Sequence, residues 1–167
     1  DLVMPVREGL YSPAGQFYID PVRPVERALI THGHSDHARA GHGAVLATAD
    51  TLGIMAVRYG EGFTQARQTA ALGQTQHVNG VAVTFFPAGH VLGSAQILLE
   101  KGGLRLVISG DYKRAADPTC APFEVVRSHV FITEATFGLP VFTHPPLQAE
   151  IDKLLHSHAL FPARTHL

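Results

Sequence analysis

The segment at residues 31–43 holds the densest set of metal-binding side chains in the chain. It reads THGHSDHARAGHG and contributes five candidate ligands: His32, His34, Asp36, His37 and His42. Imidazole nitrogen and carboxylate oxygen coordinate borderline divalent ions at about 2.0–2.2 Å. The spacing predicts that His32 and His34 serve one ion. Asp36 and His37 would serve a second ion, and His42 is expected to lie outside the site.

Two further candidates follow later apolar stretches. His90 lies in PAGHVLGS, directly after the run VTFF, and Asp111 lies in SGDY, after LVIS. Either residue alone is typical of an ordinary turn, but together with the histidine cluster each becomes a predicted metal ligand. Because an aspartate oxygen can bridge two ions about 3.5–4 Å apart, Asp111 is a candidate bridging ligand.

These side chains share a position relative to the predicted strands. Each polar residue or cluster comes where an apolar strand ends: Asp20 after FYI, the histidines after ALIT, His90 after FFPAG, Asp111 after LVISG and Glu134 after VFIT. Active-site residues are commonly placed on loops at the ends of rigid strands. We therefore expect all five strand ends to converge on one edge of a sheet.

The elements themselves are mostly short strands separated by turns. Asn79-Gly80 and Lys101-Gly102-Gly103 predict hairpins between apolar segments. Helices are predicted at HARAGHG, at TADTLGIMAVRYG with Thr48 or Asp50 as its cap, and after Pro145-Pro146, where Leu147, Ile151, Leu154 and Leu155 recur at helical spacing. Strands followed by outer helices indicate an α/β layer architecture.

Composition narrows the function classes. The 167 residues carry a net charge of −1 and 46% hydrophobic residues, which indicates a globular domain without a strongly basic field for nucleic acid. The single cysteine, Cys120, excludes an internal disulfide and a cysteine-rich zinc site. No long apolar run or signal peptide is present, so we expect no membrane partner and a cytoplasmic protein.

The motif THGHSDH with a downstream GH and GD resembles the metallo-β-lactamase superfamily. ITEATFG resembles the acidic motif that opens the β-CASP insertion of nucleic-acid-processing members. The longer strings GLYSPAGQFYIDP, FPAGHVLGSAQ, SGDYKRAADPTCAPFE and ITEATFGLP resemble the bacterial ligase-associated DNA exonucleases, relatives of the mRNA 3′-end processing nucleases. This resemblance runs over nearly the whole chain.

The resemblance implies a metallo-β-lactamase fold, an αβ/βα sandwich. Residues 1–167 would form the N-terminal part of that domain, ending near the β-CASP insertion point. Strings that match the later β-CASP motifs and the last ligand histidine of the family are not found; His144, His156, His158 and His166 do not lie in matching strings. We therefore expect a longer protein whose remaining part completes the site.

The resemblance also implies roles for individual residues. The metal ligands are His32, His34, Asp36, His37, His90 and Asp111, which would hold two divalent ions, zinc in the first place and manganese as the alternative. Asp36 and Glu134 are implied as catalytic, Asp36 by orienting or deprotonating water and Glu134 by orienting a histidine. Asp20 is expected to hold the histidine loop, and Lys113 and Arg114 are candidate phosphate contacts, with a solvated turn as their alternative.

The predicted function is DNA exonuclease activity in DNA repair, in which a metal-activated water hydrolyses a phosphodiester. The alternatives are a β-CASP RNA-processing nuclease and, with less support, a small-molecule hydrolase of the lactonase or thioesterase type. A non-catalytic binding module is disfavoured by the intact histidine motif. By resemblance, an ATP-dependent DNA ligase and a helicase are candidate partners.

Overall fold

The computed structural model describes residues 1–165 and divides the chain into two compact units. The first unit spans Asp1–Glu134 and contains eleven strands and one helix. The second unit begins at Ala135 and contains one helix. All of the predicted ligands lie in the first unit.

The first unit contains two sheets of consecutive strands. The six-stranded sheet comprises β1 (Met4–Val6), β2 (Gly9–Ser12), β3 (Phe17–Ile19), β4 (Arg27–Leu29), β5 (His42–Ala47) and β6 (Thr64–Thr69), in that spatial order. The five-stranded sheet comprises β7 (Thr75–Val78), β8 (Val81–Pro87), β9 (Ala95–Lys101), β10 (Leu104–Ile108) and β11 (Val130–Ile132). Strands β3 to β6 are parallel to one another, and β7 to β10 form an antiparallel meander.

Both predicted hairpins are confirmed. Asn79-Gly80 connects β7 to β8, and Asn79 adopts a positive φ of 49°, which asparagine tolerates better than most residues. Lys101 to Gly103 connects β9 to β10, and the glycines have φ of 58° and 82°. These turns set the register that aligns the apolar residues of the meander on one face.

The main core lies between the two sheets. It contains side chains from the six-stranded sheet, such as Phe17, Leu29 and Leu46, and from the five-stranded sheet, such as Phe85 and Ile97. The opposite face of the six-stranded sheet packs against α1 (Ala49–Tyr59), where Leu52 and Met55 contact a second apolar cluster. The layers are therefore a helix, a sheet and a second sheet.

The two longer predicted helices are confirmed. Helix α1 begins after Thr48, whose side chain accepts a hydrogen bond from the Thr51 backbone N–H, as in a standard N-cap. Helix α2 (Leu147–Leu160) follows Pro146 in the second unit, and none of its residues is buried. No helix among the described residues is long and apolar enough to cross a membrane.

Two predictions about this region are wrong. HARAGHG forms turns rather than a helix, because Gly41 adopts a φ of 93° and β5 begins at His42, where it pairs with β6. The candidate ligands also do not lie along one edge of a single sheet. Asp20 and the histidine cluster follow strands β3 and β4 of one sheet, whereas His90, Asp111 and Glu134 follow β8, β10 and β11 of the other.

We expect Ile97→Ala to lower the free energy of unfolding by about 2–5 kcal/mol, since the side chain is fully buried in the core between the sheets and its removal leaves a cavity. Urea denaturation measures this change. Val57→Ala, at a position 90% exposed on α1, is the control and should change stability by about 0.5 kcal/mol or less. Equal effects of the two variants would contradict the described packing.

Candidate metal centre

Four side chains from the two sheets meet with their ligand atoms close together. His32 and His34 come from the loop after β4, His90 from the loop after β8 and Asp111 from the turn after β10. One ligand atom from each lies within 4.8 Å of the ligand atoms of the other three. The sequence analysis predicted these four residues as metal ligands. The fold brings them together from three separate segments of the chain.

The distances fit a divalent ion. His34 Nδ1 lies 3.1 Å from His32 Nε2 and 3.2 Å from His90 Nε2. Asp111 Oδ2 lies 3.8 Å from His32 Nε2 and 3.7 Å from His90 Nε2. Ligand atoms placed tetrahedrally at about 2.0–2.1 Å from zinc are separated by roughly 3.3–3.5 Å. Three imidazole nitrogens and one carboxylate oxygen are also a donor set typical of zinc.

A second group of ligand atoms adjoins the first. His37 Nε2 lies 3.4 Å from Asp111 Oδ1 and 3.7 Å from Asp36 Oδ2. Asp111 therefore directs one oxygen towards the first group and the other towards the second, the arrangement expected of a bridging carboxylate. Asp36 is 74% exposed, and a cavity of about 450 Å³ opens beside Asp36, His37 and Asp111, so this group is accessible to small molecules.

Asp20 connects the histidine loop to the end of β3. Its Oδ1 accepts a hydrogen bond from Thr31 N at 2.8 Å, and its Oδ2 accepts from Thr31 Oγ1 at 2.5 Å. Asp20 Oδ2 also accepts from His37 Nδ1 at 2.8 Å. One carboxylate thus satisfies three donors of the loop.

This network assigns the tautomers of two histidines. Because Thr31 Oγ1 donates its only hydrogen to Asp20, it accepts from His32 Nδ1, which lies 3.0 Å away. His32 Nδ1 and His37 Nδ1 therefore carry the hydrogen, and the Nε2 lone pair of each ring faces the ligand groups. Hydrogen bonds of this kind are how metal-binding histidines are normally oriented.

Burial and charge separate the pKa values of the histidines. Burial, with the neighbouring histidines, lowers the pKa of His32 from 6.5 to about 3, and burial also lowers the pKa of His90. Burial opposes protonation of His37 too, but the hydrogen bond and charge of Asp20, with the charges of Asp111 and Asp36, raise its pKa overall. His32 and His90 are therefore neutral near pH 7, the state that binds metal.

Ser94 holds the turn that carries His90, although the sequence analysis did not identify it. Its buried Oγ accepts from His90 N at 3.0 Å and from Val91 N at 3.1 Å. The next residue, Ala95, donates its N–H to the Thr31 carbonyl at 2.8 Å, which joins the two sheets beside the site. The sequence signal for this role was a serine four residues after the candidate ligand His90.

The remaining candidates take other positions. Glu134 Oε1 accepts from Tyr112 N at 3.1 Å, so it contacts the residue that follows Asp111. Lys113 Nζ pairs with Asp117 Oδ2 at 2.8 Å and Arg114 is exposed, an arrangement that matches the solvated-turn alternative.

His42 does not belong to the four-ligand group. His42 is buried at the start of β5, where its Nδ1 accepts from Val25 N. His144, His156 and His158 belong to the second unit, and His166 lies outside the described residues.

Comparisons with known proteins identify relatives of the chain. The family model described as the metallo-beta-lactamase superfamily matches residues 19–160. A probable DNA ligase of Opitutus terrae is 36% identical over 83% of this chain and 14% of its own length. Endoribonuclease YSH1 of Saccharomyces cerevisiae is 38% identical over 60% of this chain and 13% of its own length. The chain thus spans about a seventh of the length of these curated relatives.

Among solved structures, the zinc-bound PqqB of Methylobacterium extorquens is similar with a TM-score of 0.43 and 22% identity. The alignment covers 57% of this chain and 44% of that one.

Asp20→Asn should weaken metal binding by about 10- to 100-fold, because the amide cannot accept hydrogen bonds at both positions and the histidine loop loses its orientation. Competition with a chromophoric chelator measures the dissociation constant. Asp117→Asn is the matched control, since Asp117 also accepts several hydrogen bonds but lies in the turn with Lys113. Equal affinities of the two variants would contradict the role of Asp20.

We expect the metal-free protein to lose at least about 1 kcal/mol of stability on acidification from about pH 7 to about pH 5. The unfolded chain protonates His32 near 6.5, whereas the folded chain resists protonation down to about 3, so protons favour the unfolded state in this range. His42 and His90 act in the same direction. His37 acts oppositely, because its raised pKa stabilises the fold at low pH and this contribution is lost as pH rises.

Urea unfolding after dialysis against a chelator, carried out at both pH values, measures the net change in the free energy of unfolding. Stability that is constant or increases on acidification would contradict the dominance of the three histidines with lowered pKa.

Proposed function

The chain belongs to the metallo-β-lactamase superfamily, and on that premise we propose that it is the metal-binding part of a phosphodiesterase that acts as a DNA exonuclease in repair. The observation that carries the proposal is the position of Asp111, whose two oxygens face two adjacent groups of ligand atoms. Two neighbouring ions held by a shared carboxylate are the arrangement used for in-line phosphodiester hydrolysis.

We assign the metal ligands by their place in the two groups. His32, His34 and His90 would hold the first ion, Asp36 and His37 the second, and Asp111 would contact both. Asp20, Asp36 and Asp111 give the site three carboxylates. His32 and His90 are neutral and do not compensate this charge, while His37, whose pKa is raised, offsets part of it, so the site favours cations. Divalent ions bound there supply Lewis acidity, which makes water a better nucleophile and offsets negative charge on a phosphate.

The reaction is hydrolysis of one phosphate ester bond. The oxygen of water forms a bond to phosphorus, and the ester oxygen departs with the electron pair of the broken bond. Asp36 accepts or directs the proton that water loses, and the departing oxygen takes up a proton. The products are a phosphate monoester and a free hydroxyl group.

Asp36 is suited to that role by charge and by exposure. Burial raises its pKa, but its own backbone N–H and the nearby histidines together lower the pKa overall, so the carboxylate is ionised near neutral pH. It is also the most exposed acidic group of the site, with 74% of its side chain accessible, and it adjoins the open cavity. An ionised, accessible carboxylate can reach a water molecule next to substrate.

We propose two roles for Glu134. The resemblance implies that it orients a histidine that protonates the departing oxygen. Its hydrogen bond to Tyr112 N also positions the turn that carries Asp111. Lys113 is paired with Asp117, so a phosphate contact would require it to leave that ion pair, and exposed Arg114 is the better candidate.

The choice of DNA rests on similarity to a probable DNA ligase over 83% of this chain. That similarity also supports an ATP-dependent DNA ligase as a partner, while a helicase is a prediction of the family resemblance alone. A net charge of −1 gives the chain no basic field, so phosphate binding is assigned to the ions and to local groups.

An RNA-processing nuclease is the second candidate. It is favoured by the 38% identity with endoribonuclease YSH1 of Saccharomyces cerevisiae over 60% of this chain. A small-molecule hydrolase of the lactonase or thioesterase type has less support, because both curated relatives named above are nucleic-acid enzymes by their printed names.

The DNA assignment predicts that the full-length protein loaded with Zn²⁺ or Mn²⁺ degrades end-labelled single-stranded DNA from one end. Asp36→Ala should reduce this hydrolysis at least about 1000-fold while the protein remains folded, since an exposed side chain adds little to packing. Gel electrophoresis of labelled DNA and RNA of the same sequence measures both results. Asp152→Ala, at an exposed position of α2, is the control and should retain activity.

The outcomes separate the candidates. Degradation of RNA alone would replace the DNA exonuclease by the RNA nuclease, and internal cleavage of DNA would exclude exonuclease action. Full activity of Asp36→Ala would overturn the assigned mechanism.

A further inference from the structure

Helix α1 contacts both of the loops that supply histidines to the first metal group. Its C-terminal end is hydrogen bonded to the loop of His32 and His34, and its N-terminal end is hydrogen bonded to the loop of His90. We propose that α1 is a rigid bracket that sets the spacing of these two loops. Arg58 at one end and Thr48 and Thr51 at the other are then positioning residues for the first ion.

The C-terminal contact is a direct hydrogen bond to the metal loop. Arg58 Nη1 donates to the Gly33 carbonyl at 2.6 Å, and Gly33 is the residue between the ligands His32 and His34. The helix approaches so closely that a Cβ added to Gly33 would lie 2.9 Å from Ile54 Cγ2. The peptide between the two ligands is therefore held by α1 through one hydrogen bond and one packing contact.

The N-terminal contact involves two buried hydroxyl groups. Thr48 Oγ1 lies 2.6 Å and Thr51 Oγ1 lies 3.1 Å from the carbonyl oxygen of Gly93, so both can donate to its two lone pairs. Gly93 has a φ of 76°, and a Cβ at this position would lie 2.7 Å from Asp50 Cβ. The turn after His90 is thus fitted against the first turn of the helix.

Through these contacts the helix fixes the distance between the two loops, which neither loop can do alone. An α-helix of 11 residues is about 16 Å long and changes length little, because each of its hydrogen bonds constrains the next. The loops are also joined directly, by the hydrogen bond from Ala95 N to Thr31 O. The two connections together constrain how far His90 can move from His32 and His34.

A constrained spacing matters because metal affinity depends on donors that are already in place. If either end of α1 is released, its loop gains freedom that must be lost again when the ion binds. Arg58 carries a positive charge, so removing it would strengthen cation binding if charge were its only effect. A positioning role of α1 predicts the opposite, weaker cation binding. The sign of the change in affinity therefore separates the two explanations.

The test uses the full-length protein and the metal alone, with Zn²⁺ affinity measured by competition with a chromophoric chelator. Arg58→Met and Thr51→Val should each weaken binding about 10-fold, the lower end of the range for residues that orient ligands. Arg58→Lys should recover part of the loss, since an ammonium group can donate to the Gly33 carbonyl. The absorption spectrum of the Co²⁺-loaded protein should also change in Arg58→Met and Thr51→Val.

Two controls match the chemistry of these variants outside the bracket. Arg67→Met removes an arginine that pairs with Glu61 and stacks on Phe63, and Thr75→Val removes a hydroxyl bonded to Thr84. Both controls should keep the Zn²⁺ affinity within about twofold of the unmodified protein. Because releasing one end already frees the spacing, the Arg58→Met/Thr51→Val double variant should lose much less than the product of the single losses.

Unchanged or tighter Zn²⁺ binding in Arg58→Met would overturn the proposal, as would fully multiplicative losses in the double variant. Arg58 is exposed, so Arg58→Met and Arg58→Lys still decide the matter if Thr51→Val, at a buried position, does not fold. The inference rests on the metal centre of the proposed function but not on its substrate. Failure to hydrolyse DNA or RNA would defeat the proposed function and leave the affinity measurements intact.

Discussion

The arrangement of the site depends on the carboxylate of Asp20. It accepts hydrogen bonds from Thr31 N, Thr31 Oγ1 and His37 Nδ1, and through Thr31 it also determines the tautomer of His32. One group thus orients a histidine in each of the two ligand groups. Asp20 adopts a φ of 44°, a left-handed conformation that aspartate tolerates and that places its side chain at the end of β3.

The second constraint is that the ligands come from two different sheets. His32 and His34 follow a strand of the six-stranded sheet, while His90 and Asp111 follow strands of the five-stranded sheet. Their convergence therefore requires the apolar core between the sheets, together with the backbone hydrogen bond from Ala95 to Thr31. Helix α1 adds a connection on the outer side through Gly33 and Gly93. Core packing and ligand geometry are consequently coupled.

Local patterns were reliable where one residue type dictates the conformation. The Asn79-Gly80 hairpin was predicted from a short motif and occurs as expected, and the cap of α1 is Thr48, one of the two residues predicted for it. HARAGHG was predicted as a helix and is not one, because pairing of β5 with β6 outweighs local preference. Likewise, strand-end residues were expected along one sheet edge, since a sequence does not reveal how its strands are divided between sheets.

Residue types and their spacing were enough to indicate metal-binding chemistry. Metal-binding residue types at His32, His34, Asp36 and His37, with His90 and Asp111 downstream, were apparent from spacing and from flanking strands. The fold determines which nitrogen of each histidine faces the site and which oxygen of Asp111 faces which group. The role of Arg58 was likewise invisible in the sequence. It arises from a hydrogen bond to the Gly33 carbonyl, and that partner depends on how distant segments pack, which leaves no residue pattern.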